Sequence, residues 1–114
     1  MIGTVLVVEG RRTVAAALTG VGYRVLAASW LEALGMAHEL QPDVVVLDAR
    51  GPGHARDAGE LARRLRGLGS TELIPLVALG AQGRPTAALP VNEVVPPCAA
   101  GEAAAWVARW LPAA

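Results

Sequence analysis

The sequence has no lysine and no phenylalanine, and its only cysteine is Cys98. A lone cysteine excludes an internal disulfide and fits the reducing conditions of the cytoplasm. The chain also lacks an excess of either charge, because its 10 basic residues, all arginine, are balanced by 10 acidic ones. This balance, without a long run of one sign, argues against a nucleic acid or an anionic membrane as the partner.

Long hydrophobic runs are absent as well. The apolar opening of the chain, residues 1–8, has no basic leader and is far shorter than the roughly 20 residues that a spanning helix needs, so it predicts a strand. A length of 114 residues suffices for one domain with a substantial core and is too short for two. We therefore expect a single cytoplasmic domain, residues 1–114, that does not enter a membrane.

What the sequence does contain is an alternation of strand-like and helix-like patterns. Short apolar runs predict five strands, at residues 4–8, 24–28, 43–48, 74–79 and 93–95. Apolar residues at helical spacing predict four helices, at residues 13–21, 30–40, 57–68 and 101–111. This alternation is typical of a doubly wound parallel sheet with helices on both faces.

The same spacing predicts which side chains face the core. Leu31, Leu34 and Leu40 are expected on the inner face of the second predicted helix. Leu68 is expected to point inward at the end of the third helix, on which Arg66 is expected to be largely solvated.

The third predicted strand carries the most informative feature of the chain. Its four consecutive apolar residues, 44–47, indicate a strand buried on both faces, and Asp48 ends it before the turn at residues 51–53. In open α/β sheets, ligands bind at the edge formed by the carboxyl ends of the strands. Asp48 is therefore the first candidate for a functional side chain.

With Asp48 at a strand end and Pro52 and Gly53 four and five residues later, the chain resembles the receiver domain of two-component response regulators. In that family the corresponding Asp is the phosphoacceptor. The resemblance covers nearly the whole chain, including Gly22-Tyr23 and residues 74–79. It implies an α/β, flavodoxin-like, doubly wound sheet of five parallel strands in the order 2-1-3-4-5. It also implies that Asp48 lies beside the residue that follows the first strand.

The chain departs from the family at the positions that surround the phosphoacceptor. Where the family has two acids after the first strand, this chain has Glu9 and Gly10. Gly80 replaces the family's hydroxyl residue, Val94 its aromatic residue and Pro97 its lysine. Proline supplies neither a charge nor a hydrogen-bond donor. The resemblance therefore implies a degenerate site.

Weak or absent phosphorylation follows from these departures. A unit-charge pair near a protein surface amounts to about 4 kcal/mol before desolvation. Losing the lysine together with one carboxylate of a Mg²⁺ site should therefore severely weaken phosphoryl transfer. Only Glu9 and Asp48 remain as Mg²⁺ ligands, so we expect no resident cofactor and, at most, weak Mg²⁺ binding.

Two segments are shorter than in the usual receiver. The stretch between Glu9 and Gly22 predicts a first helix shortened by about one turn. Residues 80–90 hold two glycines and two prolines, so we expect the fourth helix of the family to be reduced.

Three functions fit these residues. The first is an atypical receiver, or pseudo-receiver, that works in two-component signalling through protein contact with little or no phosphorylation. The second is a functional response regulator phosphorylated on Asp48 with Glu9 as its acidic helper. The third is a small-anion binding module that uses Arg11, Arg12 and Arg50, although pairing of these arginines with Glu9 and Asp48 is the simpler expectation. No nucleophile–base pair, zinc spacing or phosphate-binding glycine motif indicates an enzyme.

The last predicted helix suggests where a partner would bind. Receivers usually communicate through the fourth helix, fifth strand and fifth helix, and here the last helix carries Trp106 and Trp110. Both indoles are unlikely to fit in the core of so small a domain, so we expect an exposed aromatic surface flanked by Arg84, Glu102 and Arg109. This surface would bind a partner protein or a second copy of the chain.

Overall fold

The computed structural model describes residues 3–51, 53–80 and 90–112. It contains five strands, and all neighbouring strands in the sheet are parallel. The strands are β1 (Thr4–Val8), β2 (Arg24–Ala28), β3 (Val44–Asp48), β4 (Leu76–Leu79) and β5 (Glu93–Val95). Their order is β2-β1-β3-β4-β5, which confirms the predicted flavodoxin-like topology.

Four helices connect and follow the strands in the described residues. They are α1 (Arg12–Val21), α2 (Ala33–Leu40), α3 (His54–Gly67) and α4 (Ala100–Ala108). The prediction of a reduced fourth receiver helix concerns mainly residues 81–89, which lie outside the described residues. The label α4 therefore refers here to the helix that was predicted at residues 101–111. None of these four helices is long and apolar enough to cross a bilayer.

The sheet is buried on both faces, as the apolar pattern of β3 predicts. Residues Val44 to Leu47 have no exposed surface. On one face, α2 and α3 cover a cluster that includes Leu6, Leu47 and Leu65. On the other face, α1 and α4 cover a second cluster. This two-sided burial fixes the position of β3 and therefore of the carboxylate at its end.

The prediction that Leu31 faces the core is wrong, because α2 begins at Ala33 and residues 30–32 form a turn. The turn is closed by Ser29, whose hydroxyl accepts a hydrogen bond from the Glu32 amide (3.2 Å) while the Glu32 carboxylate accepts from the Ser29 amide (3.2 Å). This reciprocal pair is the capping-box arrangement. It leaves Leu31 94% exposed.

Two more predicted inward leucines are also exposed. Leu40 is the last residue of α2, and Leu68 follows the end of α3, so neither is held against the sheet. Their exposed fractions are 44% and 38%.

Arg66 is half-buried rather than largely solvated. Its guanidinium donates hydrogen bonds to the carbonyl oxygens of Glu72 (2.7 Å) and Ile74 (2.9 Å) and to the side-chain oxygen of Asn92. The same Asn92 oxygen accepts from the Leu76 amide at 2.8 Å. Arg66 thus ties α3 to the segments that lead into β4 and β5.

Candidate functional site at the carboxyl edge of the sheet

Asp48 is the last residue of the central strand, β3. It is in register with Leu79 of β4, while Leu47 is in register with Val8 of β1. Glu9 and Gly80, which directly follow those two strands, therefore lie at the same edge of the sheet. Asp48 is only 2% exposed, so this edge carries a buried carboxylate.

Arg50 binds both oxygens of the Asp48 carboxylate. Its Nε donates to Oδ1 at 2.8 Å and its Nη2 donates to Oδ2 at 2.6 Å. The backbone amide of Arg50 also donates to Oδ1 at 3.1 Å. Two parallel charge-assisted bonds of this kind are the strongest pairing that a guanidinium makes with a carboxylate. For Arg50 the sequence favoured pairing with an acidic residue over anion binding, and the structure pairs it with Asp48.

This pairing governs the charge of the site. Burial alone would raise the pKa of Asp48, but the hydrogen bonds and positive charge of Arg50 outweigh burial and hold that pKa below its ordinary value. The hydrogen bond from Asp48 in turn raises the pKa of Arg50. Both partners are therefore ionised at neutral pH, and their charges cancel within the site.

Glu9 is directed toward the neighbouring strand β2. Its backbone has φ of 54°, in the left-handed region, and its amide donates to the carbonyl of Ala28 at 2.9 Å. Its carboxylate accepts a hydrogen bond from the Trp30 amide at 3.2 Å. Glu9 thus follows β1 and Asp48 ends the adjacent strand β3, but their side chains have different partners. No group of three or more metal-binding side chains occurs in the part of the chain that the structure describes.

Two glycines that replace functional residues of the family stand where the packing is tight. A Cβ atom added to Gly10 would lie 2.1 Å from Cγ1 of Val7, a side chain that is almost fully buried. A Cβ atom on Gly80 would lie 3.1 Å from the carbonyl oxygen of Val95, which already accepts the Gly80 amide at 2.8 Å. The Val7 side chain at Gly10 and the Val95 carbonyl at Gly80 therefore fill the space beside these positions, so a carboxylate or hydroxyl could return only if neighbouring atoms moved.

The remaining predicted site residues do not converge on Asp48 as a set. The side chains of Arg11 and Arg12 are exposed at the start of α1, so the three arginines of the anion-binding hypothesis are divided between solvent and Asp48. Val94 is half-buried within β5, and Pro97 is exposed in the loop between β5 and α4.

The two tryptophans of α4 and the residues after it are both half-buried. Trp110 donates from Nε1 to Glu93 of β5 at 2.8 Å, and Arg109 lies over the Trp106 ring at 5.2 Å from its centre. Arg109 also forms an ion pair with Glu93 at 3.6 Å. Glu93 organises this surface, and no motif in the sequence indicated its role. Arg84, the fourth charge expected here, lies outside the described residues.

Comparison with solved structures decides the family. A protein of Chloroflexus aurantiacus J-10-fl, assigned as a response regulator, is 30% identical over 96% of this chain and 98% of its own, with a TM-score of 0.78. The chain belongs to the response regulator receiver family. This receiver is therefore a domain of two-component signalling, and such domains act through contacts with other proteins.

Two further structures share the receiver's fold at lower identity. The signal receiver domain of a histidine kinase from Syntrophus aciditrophicus is 24% identical, covers 95% of this chain and 89% of its own, and has a TM-score of 0.77. The chemotaxis response regulator CheY4 of Vibrio cholerae is 22% identical over 97% of this chain and 100% of its own, also with a TM-score of 0.77. No protein-family model and no curated protein matches the sequence.

Proposed function

We propose that this protein is an atypical receiver that signals through protein contact and does not use aspartyl phosphorylation as its switch. The observation that carries the proposal is the double hydrogen bond between Arg50 and Asp48. A carboxylate must present a free oxygen to attack phosphorus, and here each oxygen already accepts a hydrogen bond from a cation. Phosphorylation would first have to break a buried ion pair.

The residues around the pair support the same proposal. Phosphoryl transfer depends on cations that stabilise the charge spread over the transferred oxygens. Gly10 and Pro97 offer neither a Mg²⁺ ligand nor an ammonium group, and Gly80 offers no hydroxyl. Arg50 instead places a permanent positive charge beside Asp48. We infer that the site holds one fixed electrostatic state, which makes the domain a constant binding module and not an enzyme.

The two alternative functions receive less support from the geometry. The carboxylate of Asp48 occupies the edge of the sheet where receivers are phosphorylated, but Arg50 would have to leave it before a phosphoryl group could bind. A small-anion site would need Arg50 to be available, yet its charge is compensated by Asp48.

We further propose that the partner binds to the surface formed by β5 and α4. This surface combines the partly exposed Trp106 with charges of both signs on Glu102 and Arg109, which line a depression of about 270 Å³ beside the indole. Aromatic and arginine side chains with a polar rim are typical of protein interfaces.

Beryllofluoride, a phosphoryl mimic, tests the loss of the phosphorylation switch. In a titration with Mg²⁺ followed by backbone NMR, we expect no saturable shifts at residues 48–51, 80 or 94–98. Shifts that are centred on Asp48, saturate with beryllofluoride and vanish in Asp48→Asn would overturn the proposal.

A photo-crosslinking amino acid at an exposed position tests the partner surface. Ala105 lies beside Trp106, whereas Ala16 is exposed on α1 and serves as the control position. We expect crosslinks in cells from position 105 and not from position 16. Trp106→Ala should reduce them more than tenfold, because truncating an anchoring aromatic typically costs at least about 2 kcal/mol. Equal crosslinking from both positions would contradict this surface.

A further inference from the structure

A groove lies between α2 and α3, on the face of the sheet opposite α4. It has a volume of about 460 Å³, and its apolar walls are formed by Trp30, Leu34 and Leu61. Leu31 stands at its mouth with 94% of its surface exposed. The exposed Leu31 and the groove thus place a projecting apolar side chain beside a recess that has apolar walls and a charged rim.

One wall of the groove is also incompletely hydrogen-bonded. The Nε1 atom of Trp30 is buried and has no acceptor among the described residues. Buried indole N–H groups usually find an acceptor. The ring instead packs edge-on against His54, with 5.5 Å between ring centres. This wall therefore holds an unused hydrogen-bond donor.

The rim of the groove carries charges of both signs in a defined order along α3. Asp57 and Glu60 come first, and Arg64 follows one turn later. The ion pairs of the described residues join Asp48 to Arg50 and Glu93 to Arg109, so none of the rim charges takes part in them. Residues 60 and 64 share one helix face and are about 6 Å apart along its axis.

We propose that a second copy of this chain occupies the groove, related by a twofold axis that passes near the middle of α3. In such a dimer the two α3 helices run antiparallel, so Glu60 of each copy faces Arg64 of the other. Leu31 of each copy enters the groove of its neighbour. A twofold interface must be self-complementary, and this surface supplies both a knob with its groove and an acid with its base.

The charge order favours a second copy over an unrelated partner. Binding of an unrelated protein would require only the groove. A second α3 running antiparallel, by contrast, places its Arg64 against Glu60 and its Glu60 against Arg64. The dimer would leave the β5–α4 surface free, because α2 and α3 cover the other face of the sheet. The proposal goes beyond the pseudo-receiver function and does not depend on it.

Charge reversal in matched variants tests the dimer by analytical ultracentrifugation, from micromolar to millimolar protein. We expect the wild-type chain to dimerise and Glu60→Arg or Arg64→Glu each to raise the dissociation constant at least tenfold, because each creates two like-charge contacts. An equimolar mixture of these two variants should dimerise again, since every contact then joins opposite charges. Leu31→Glu should also give a monomer. The three substituted residues, Leu31, Glu60 and Arg64, are exposed, so the fold should persist.

Reversal of charge on the opposite face supplies the control. Glu102→Arg and Arg109→Glu should leave the dissociation constant unchanged. A wild-type chain that stays monomeric at millimolar concentration overturns the proposal. A dimer that is insensitive to Glu60→Arg and Arg64→Glu, or mixed variants that fail to associate, overturn it as well. Circular dichroism of each variant confirms that a lost dimer is not lost structure.

Discussion

At the scale of single residues, the behaviour of this site depends on how Asp48 and Arg50 compensate each other. The carboxylate has 3% of its side chain exposed and the guanidinium 16%. A buried pair of this kind contributes little net stability, but removing one partner leaves an uncompensated charge in a poorly solvated position. The pair should therefore be much more sensitive to a single substitution than to a double one.

Arg50→Met tests this dependence. We expect it to lower the free energy of unfolding by about 3 kcal/mol, because Asp48 loses both hydrogen bonds while remaining buried. The double variant Asp48→Asn, Arg50→Met should recover a substantial part of that loss. Urea unfolding at neutral pH measures both. If Arg50→Met changed stability by less than about 0.5 kcal/mol, as expected for an ordinary surface residue, the pair would not exist in solution.

The pair also predicts a pH dependence of stability. Because the folded-state pKa of Asp48 lies below the unfolded value of 3.8, its contribution is fully present well above pH 3.8. The contribution is lost as the pH falls through the lower folded-state pKa. The difference in unfolding free energy between wild type and Asp48→Asn should thus be constant near neutrality and shift against the wild type below about pH 4. A difference that does not change down to pH 2 would contradict the lowered pKa.

Gly10 offers a second test at this scale, with Gly20 as its control. Gly10→Ala should destabilise the protein by about 1–3 kcal/mol, because the new Cβ meets the buried Val7. Gly20, in α1, has open space around its Cα, so Gly20→Ala should stabilise by about 0.5 kcal/mol through helix propensity. Thermal unfolding distinguishes the two. Equal effects would show that Val7 does not block a side chain at position 10.

At the scale of secondary structure elements, the helix boundaries show what the sequence could and could not predict. The third helix begins at His54, three residues before the predicted start, because Gly53 adopts a left-handed φ of 76° that directs the chain into it. The second begins three residues later than predicted because Ser29 and Glu32 close a turn first. Apolar periodicity locates the middle of a helix, whereas capping contacts set its ends. Leu31 was therefore predicted to face the core, whereas it is exposed.

Arg66 shows how one side chain can connect several elements. Arg66→Met should destabilise the protein by about 2 kcal/mol, because the Glu72 carbonyl and the partly buried Ile74 carbonyl lose their charged donor. Arg63→Met, an exposed neighbour on the same helix, should change stability by less than about 0.5 kcal/mol. Hydrogen exchange should show faster opening at β5 in the Arg66 variant. Equal stability of the two variants would contradict a linking role for Arg66.

At the scale of the whole molecule, two-sided burial of β3 and the alternation of strands and helices predicted a doubly wound parallel sheet. The strand order was predicted by the resemblance to receivers. The position of Asp48 followed from the same pattern. The partner of Asp48 did not, because the direction of the Arg50 and Glu9 side chains depends on turns that the sequence leaves open. Glu9 was expected near Asp48 from chain position, yet its carboxylate bonds to the Trp30 amide at 3.2 Å.

The central claim is that Asp48, held by Arg50, does not accept a phosphoryl group. Intact-mass spectrometry after incubation with Mg²⁺ and acetyl phosphate tests it most directly. We expect almost all of the protein to keep its unmodified mass, with no difference between wild type and Asp48→Asn. Stoichiometric addition of one phosphoryl group to the wild type, abolished in Asp48→Asn, would contradict it.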